Sequence, residues 1–324
     1  MDLIASAVGH LLPLQLPQGD CTDRVIIVTG ANRGLGLEAA RHFVRLNASK
    51  VIIACRDLDK AELARQDIEA STTRTGVVEG WQLDLSSFES VRQFAARAAK
   101  LKRLDILLHN AGILSSKWEI LEGHESHVTV NVISPLLLSL LLLPTLRRLG
   151  VEHNTVPRII NVSSDGANLA FVREIRQPQI MRALDDSNSF KGWDRYILTK
   201  LLQLMVIQKL AEAVDASGKG HVLINGVNPG LCKTQLFDNM SRIETFAAWV
   251  LNAVYGRTAE AGSRTLLAAA FAGEKTHGKW MTNGRKYSLP FVMRGAGKTK
   301  LTNRFWDELL GVLEQAEPGI TANI

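Results

Sequence analysis

Short apolar runs rich in β-branched residues alternate along the chain with longer stretches whose apolar positions recur every three or four residues. The runs Arg24–Thr29, Val51–Ala54, Val77–Gln82, Ile106–His109, Arg158–Val162, Leu223–Val227 and Lys279–Thr282 predict strands. Gly36–Leu46, Leu58–Ser71, Phe88–Leu101, His124–Leu146 and Tyr196–Val214 predict helices between them. This alternation of strands and helices specifies a doubly wound α/β fold: a Rossmann-type parallel sheet of about seven strands with helices on both faces. Right-handed crossovers then place a ligand at the carboxyl ends of the strands.

No internal repeat and no Pro/Gly/Ser-rich linker divides the chain. Residues 1–22 read as an N-terminal extension and 23–324 as one domain. Residues 165–195 make an unusually long connection between the fifth strand and the Tyr196 helix. Residues 231–262 read as a substrate lid. Its Leu236, Phe237, Met240, Ile243, Phe246 and Trp249 either line an apolar pocket or pack inward as a helix stripe. Residues 285–324 are expected to hold a helix, Asn303–Glu314, and a loose tail.

Composition narrows this little. The 324 residues are 46% apolar and 22% charged, enough for a core without disulfide staples. Cys21, Cys55 and Cys232 are isolated, which suits a reducing, cytoplasmic setting. The net charge of +6 is dispersed, which argues against a nucleic-acid surface and matches an anionic small molecule more simply. Pro13 and Pro17 break the N-terminal apolar stretch, a poor secretory signal. The run Leu136–Leu143 falls short of the ~20 residues a membrane span needs. It suits a buried helix or a subunit interface, which leaves a homodimer open.

The chemistry concentrates in two places. Tyr196 and Lys200 lie four residues apart, on one helix face. A cation near a phenol stabilises the phenolate and equips the tyrosine to exchange a proton with a carbonyl oxygen. Thr29-Gly30-Ala31-Asn32-Arg33-Gly34-Leu35-Gly36 follows the first strand. Its glycines permit a tight turn and close approach of a pyrophosphate to a helix N-terminus, or they serve packing alone. Arg33 lies inside the glycine loop and Arg56 at the end of strand two, where an adenosine ribose is expected; arginine there suits a 2′-phosphate, hence NADP (NADPH) rather than NAD. Asp57 competes with that reading, and Arg56 could simply end a strand. Asp84 fits either a hydrogen bond near adenine or a helix cap before Ser86. Asn110-Ala111-Gly112 ends strand four in a tight turn. No metal site is expected: His124 and His127 are three apart, not four, and read as a solvated or packed helix face.

These motifs, with Asp84-Leu85, Asn131, Ser163-Ser164 and Asn228-Pro229-Gly230 followed by Thr234, occur in the order of the short-chain dehydrogenase/reductase family, which the chain resembles from Asp23 to about Thr234. Ala54-Cys55-Arg56-Asp57 and Glu122-Gly123-His124-Glu125 are most similar to its retinol-dehydrogenase-like branch and fungal and plant relatives. The resemblance implies a Rossmann fold and gives Tyr196 the role of general acid/base. Lys200 would lower its pKa and hold the nicotinamide ribose, Ser164 would bind the substrate oxygen, and Asn131 would hold a water linking Lys200 to solvent. Pro229, Gly230 and Thr234 would border the nicotinamide and pyrophosphate. Ser164 is preferred over Ser163 by its spacing from strand five. His109 replaces an expected asparagine, and Ser134-Pro135 should kink the helix after Asn131. Residues 169–191 read as an insertion at the pocket entrance. The expected activity is NADP-dependent hydride transfer to or from a carbonyl or alcohol of a small apolar substrate, in specialised metabolism. A non-redox dinucleotide-binding protein, a sensor or isomerase, is the alternative.

Overall fold

The computed structural model describes residues 14–16, 18–237 and 256–324. The strands of the main sheet are β1 (Val25–Thr29), β2 (Lys50–Cys55), β3 (Val78–Gln82), β4 (Ile106–His109), β7 (Arg158–Val162), β8 (Leu223–Asn228), β9 (Lys279–Thr282) and β10 (Arg285–Tyr287). A two-residue hairpin, β5 (Ile120–Leu121) with β6 (His124–Glu125), stands apart. Helices follow as α1 (Gly34–Arg45), α2 (Leu58–Thr72), α3 (Phe88–Ala98), α4 (Ser126–Glu152), α5 (Ile180–Leu184), α6 (Gly192–Ser217), α7 (Ala259–Ala270) and α8 (Ala296–Ala316).

Spatial order in the sheet is β10-β9-β8-β7-β4-β1-β2-β3. Every neighbouring pair is parallel except β9–β10. The seven expected strands therefore form, and an antiparallel eighth is added at the edge. Arg285-Lys286-Tyr287 lacks an apolar run, so only its hairpin with β9 reveals it. The order reverses between β1 and β4, the topological switch point at whose carboxyl ends open α/β sheets bind ligands.

Alternation along each strand divides the core in two. Ile26, Val28, Ile53 and Leu108 face one side, against Phe43 and Val44 of α1, Ile68 of α2 and Leu266 of α7. Val25, Ile27, Ile52 and Leu107 face the other, against α3, α4, α6 and α8. The start of α7 falls inside the segment expected to be a lid. It packs on α1 and belongs to the core. Residues 238–255, with Met240, Ile243, Phe246 and Trp249, lie outside the described residues.

Helix α4 has the length and apolar character of a membrane span, yet 89% of its most apolar window is buried inside the fold. Part of that cover comes from the C-terminus. Helix α8 begins and ends beyond the expected Asn303–Glu314, and its Phe305, Leu309 and Leu313 are fully buried. The tail after it is tied down rather than loose. Asn323 Nδ2 donates to Leu140 O at 3.1 Å, and Arg147 Nη1 donates to Asn323 O at 2.8 Å. Helix α8 also fixes the long insertion: Glu308 accepts from Met181 N at 2.9 Å and Arg304 donates to Ile175 O at 2.7 Å.

If α8 is a core element, Leu309→Ala should lower unfolding stability by about 2–5 kcal/mol, as for other buried leucines. Denaturant titration checks this, and a change under about 0.5 kcal/mol, the scale of a surface substitution, would place the helix outside the core.

Candidate active site

At the carboxyl end of β7 three successive residues reach α6. Lys200 Nζ donates to Val162 O at 2.8 Å. Ser163 Oγ donates to Lys200 O at 3.1 Å. Ser164 hydrogen-bonds the Tyr196 hydroxyl, and its Oγ also accepts from Gly166 N at 3.1 Å. The adjoining serines thus separate by contact: Ser163 is buried and anchors the helix backbone, while half-buried Ser164 meets the phenol.

Tyr196 and Lys200 are both buried, and burial sets their protonation. Desolvation pushes the Tyr196 phenol above its ordinary range, against a smaller downward pull from Ser164. Desolvation depresses the Lys200 ammonium to about 8. The expected lowering of Tyr196 by Lys200 is not seen. Lys200 Nζ lies 5.5 Å from the Tyr196 ring centre and its proton is directed to Val162 O.

Asn131 sits in a π-helical turn, Thr129–Ile133, within α4. An α-helix would bond Asn131 O to the N–H of residue 135, but Pro135 has none. Gln203 Nε2 donates to that carbonyl instead, at 2.6 Å. The distortion expected from Ser134-Pro135 therefore takes the form of a π-turn one turn earlier, in a continuous helix. Both side-chain ends of Asn131 are engaged by protein. Oδ1 accepts from Ile113 N at 2.8 Å, and Nδ2 donates to Ile113 O and Thr199 Oγ1, each at 3.1 Å. His109 is buried, paired through Nε2 with Ser139 Oγ at 2.8 Å, and pushed down to about 3 by desolvation, so it stays neutral.

The glycine loop lies across the crevice. Thr29 Oγ1 accepts from Asn110 N and Ala111 N, each at 3.0 Å, joining the ends of β1 and β4. Asn110 Nδ2 returns bonds to Thr29 O and Gly30 O at 2.9 and 3.2 Å. A Cβ at Gly36 would fall 2.5 Å from Asn110 Nδ2 and 2.7 Å from Gly30 O, so only glycine closes this packing. Gly30 has φ +64° at the turn itself. Helix α1 starts at Gly34 without a side-chain cap on its N-terminus and without an acid in its first turn. Its free amide hydrogens and positive dipole end suit an anionic pyrophosphate. Thr234 comes within 3.5 Å of the Cβ position of Gly34, from far along the chain. Gly230 N donates to Asn228 Oδ1 at 3.0 Å, which holds the Pro229-Gly230 turn at the end of β8.

At the outer edge, Asp57 is committed to capping α2. Its Oδ1 accepts from Lys60 N at 3.1 Å, and its Oδ2 pairs with Lys60 Nζ at 3.1 Å. Arg56 and Arg33 are left exposed at this edge, with Asn32 and Leu35 half-buried between the loop and the helix. Asp84 accepts from Ser86 N and Oγ at 2.9 and 2.6 Å, while Ser87 caps α3. The cap expected of Asp84 is thus taken by Ser87. Leu85 is buried, and its carbonyl accepts from Ser134 Oγ at 2.7 Å. These residues fit a dinucleotide laid along the crevice, from Arg56 past the loop to Tyr196.

A buried ionic network beside Tyr196 escaped the sequence reading. Glu125, His127 and Arg195 are essentially unexposed. Glu125 Oε1 accepts from His127 Nδ1 at 2.7 Å, and Oε2 lies 3.4 Å from Arg195 Nη1. His127 Nε2 accepts from Ser115 N at 3.0 Å, which fixes the wall next to Tyr196. Arg195 also bonds Leu184 O and Ser189 Oγ. Burial acts to raise the Glu125 carboxyl, but bonds from His127 and the Arg195 charge outweigh it and hold it below its usual range. The solvated face considered for these histidines does not occur: His127 is interior, and His124 Nδ1 pairs with Asp185 at 2.8 Å. Partners about 60 to 70 residues apart left no local signal.

Removing Glu125 takes from the buried Arg195 guanidinium its fully buried partner and leaves it the Glu174 carboxylate at 3.7 Å. Glu125→Ala should cost about 3–5 kcal/mol of stability by denaturant unfolding. A loss below about 1 kcal/mol, the scale of an exposed ion pair, would mean the network is solvated.

A family model described as short chain dehydrogenase matches residues 24–175. The short chain dehydrogenase atnD of Emericella nidulans is 44% identical over 83% of this chain and 86% of its own length. The short-chain dehydrogenase anuD of Penicillium roqueforti is 37% identical over 94% of this chain and 81% of its own. Among solved structures, an uncharacterised protein of Mycobacterium paratuberculosis superposes with a TM-score of 0.66 at 25% identity, over 93% of this chain and 95% of that one. With this likeness in sequence and architecture, the chain is a member of the short-chain dehydrogenase/reductase family.

Proposed function

We propose that this oxidoreductase is an NADP-dependent reductase of a ketone or aldehyde, with Tyr196 as the proton donor. The convergence of Ser164, Tyr196 and Lys200 at the end of β7, facing the glycine loop, carries the reading. When bound, NADPH supplies the hydride that forms the new C–H bond and is itself oxidised. Ser164 orients the substrate oxygen, and Tyr196 gives it a proton as the C=O π bond breaks. Burial keeps Tyr196 in its protonated form, which suits the reductive direction. Lys200, held to Val162 O, would offer its remaining N–H groups to the nicotinamide ribose, and Asn131 clamps the Ile113 wall to α6. Gly30, Gly34, Gly36, Pro229, Gly230 and Thr234 border the pyrophosphate and nicotinamide. Asp84 lies toward the adenine, and Asn110, Ala111 and Gly112 bring backbone against the cofactor, with Gly112 beside Asn131 and Lys200.

The choice of NADP rests on Arg56 and Arg33 together with the engagement of Asp57 in a helix cap, which withdraws the acid that would favour NAD. An apolar small-molecule substrate agrees with the apolar residues around Tyr196, and a role in specialised metabolism is part of the same proposal. The match to the retinol-dehydrogenase-like branch belongs to this proposal as well.

Tyr196→Phe should lower NADPH oxidation with a responsive ketone by about a hundredfold or more while leaving NADPH binding nearly intact. Absorbance kinetics and calorimetry measure the two, and near-normal turnover by the variant would refute the mechanism. A pH profile gives a second check. Because kcat/KM for NADPH reports the free enzyme, it should be full below pH 8 and fall as Lys200 loses its proton through about 8. Lys200→Arg should move that decline to higher pH, and an unchanged inflection would assign it to another group.

A further inference from the structure

Trp193 precedes Tyr196 by one helical turn on α6, with ring centroids 6.1 Å apart and planes 34° from parallel. Phe237 lies over Trp193 at 6.2 Å and 23°, close to stacked. Leu114, Ile197 and Leu236 complete the apolar packing around Tyr196. Trp193 nevertheless keeps 42% of its surface exposed, unusual for a large ring within an apolar cluster. Apolar side chains that converge on a few polar groups, here Ser164 and the Tyr196 hydroxyl, are the makings of a ligand wall.

From this arrangement we infer that the substrate is an uncharged, planar, π-rich ketone whose ring lies against Trp193 while its carbonyl meets Tyr196. The inference rests on the proposed role of Tyr196 and names the substrate class for that site. An ionised group placed against Leu114, Leu236 and Phe237 would lose its hydration without a countercharge. An aliphatic skeleton would bury area there and no more. A flat ring adds offset stacking on the indole, worth about three- to tenfold in affinity.

Two ketones with one fused-ring skeleton test this: 2-tetralone, whose carbonyl is not conjugated to its ring, and the saturated 2-decalone. With the full chain and NADPH, kcat/KM should favour 2-tetralone by about three- to tenfold. Trp193→Leu should bring the ratio close to one, mainly through KM, and Trp193→Phe should retain part of the preference. A wild-type ratio near one, or a ratio unchanged in Trp193→Leu, overturns the inference. The wild-type comparison needs no variant to fold. If neither ketone is reduced, the redox reading fails separately. Calorimetric binding of the two ketones to the NADPH-bound protein then decides the aromatic preference by the same ratio.

Discussion

The site depends on how α6 is fastened to the end of β7. Lys200 carries two of the ties itself: its Nζ reaches Val162 O, and its carbonyl receives Ser163 Oγ. With residue 200 fixed at both main chain and side chain, the preceding turn has little freedom, and Tyr196 is delivered to Ser164. The tie fits a buried ammonium, since a carbonyl supplies a partner without adding a second charge to desolvate. It also accounts for the direction of the protonation states. Lys200 is directed to the strand and not to the phenol, so burial governs Tyr196 and keeps its proton on.

The scaffold around this tie is rigid and ionic where a plain core would have been apolar. Asn131 joins the Ile113 wall to Thr199, next to Lys200, while Glu125, His127 and Arg195 join the Ser115 wall to the residue before Tyr196. Such networks contribute little net stability compared with packed hydrophobic side chains, but they admit few alternative arrangements once every member is paired. Both act on the two positions that flank the reactive pair, which is where a small displacement would separate Tyr196 from a substrate oxygen.

The inner strands were legible because they are buried on both faces and read as near-continuous apolar runs, while the edge strand β3 kept only Val78 and Trp81 buried and was legible from its place in the βαβ alternation. The exception, β10, is an edge hairpin of polar residues, and its pairing is set by the turn at Asn283-Gly284. Helix α7 was missed because its first turn was assigned to the substrate lid; its small Ala- and Leu-rich face packs on α1. The glycine loop and Tyr196–Lys200 were legible because spacing alone places their atoms. Spacing from strand five favoured Ser164 over Ser163; both serines reach α6, and only the contacts show that Ser163 holds the Lys200 carbonyl while Ser164 meets the Tyr196 hydroxyl. The Arg195 network was invisible for the same reason, since its members are joined by the fold.

Ser134-Pro135 shows how a departure from an expected pattern can be absorbed without moving the site. A proline inside a helix normally leaves the carbonyl four residues earlier unpaired, here that of Asn131. In a buried segment such an orphan would be costly. Gln203, one turn beyond Lys200 on α6, fills it at 2.6 Å. The substitution thereby converts a bond within α4 into a bond between α4 and α6. Asn131 then holds Thr199 through its side chain and Gln203 through its backbone, bracketing Lys200 from both directions along α6. The kink expected after Asn131 is, in the folded chain, part of what keeps Lys200 against β7.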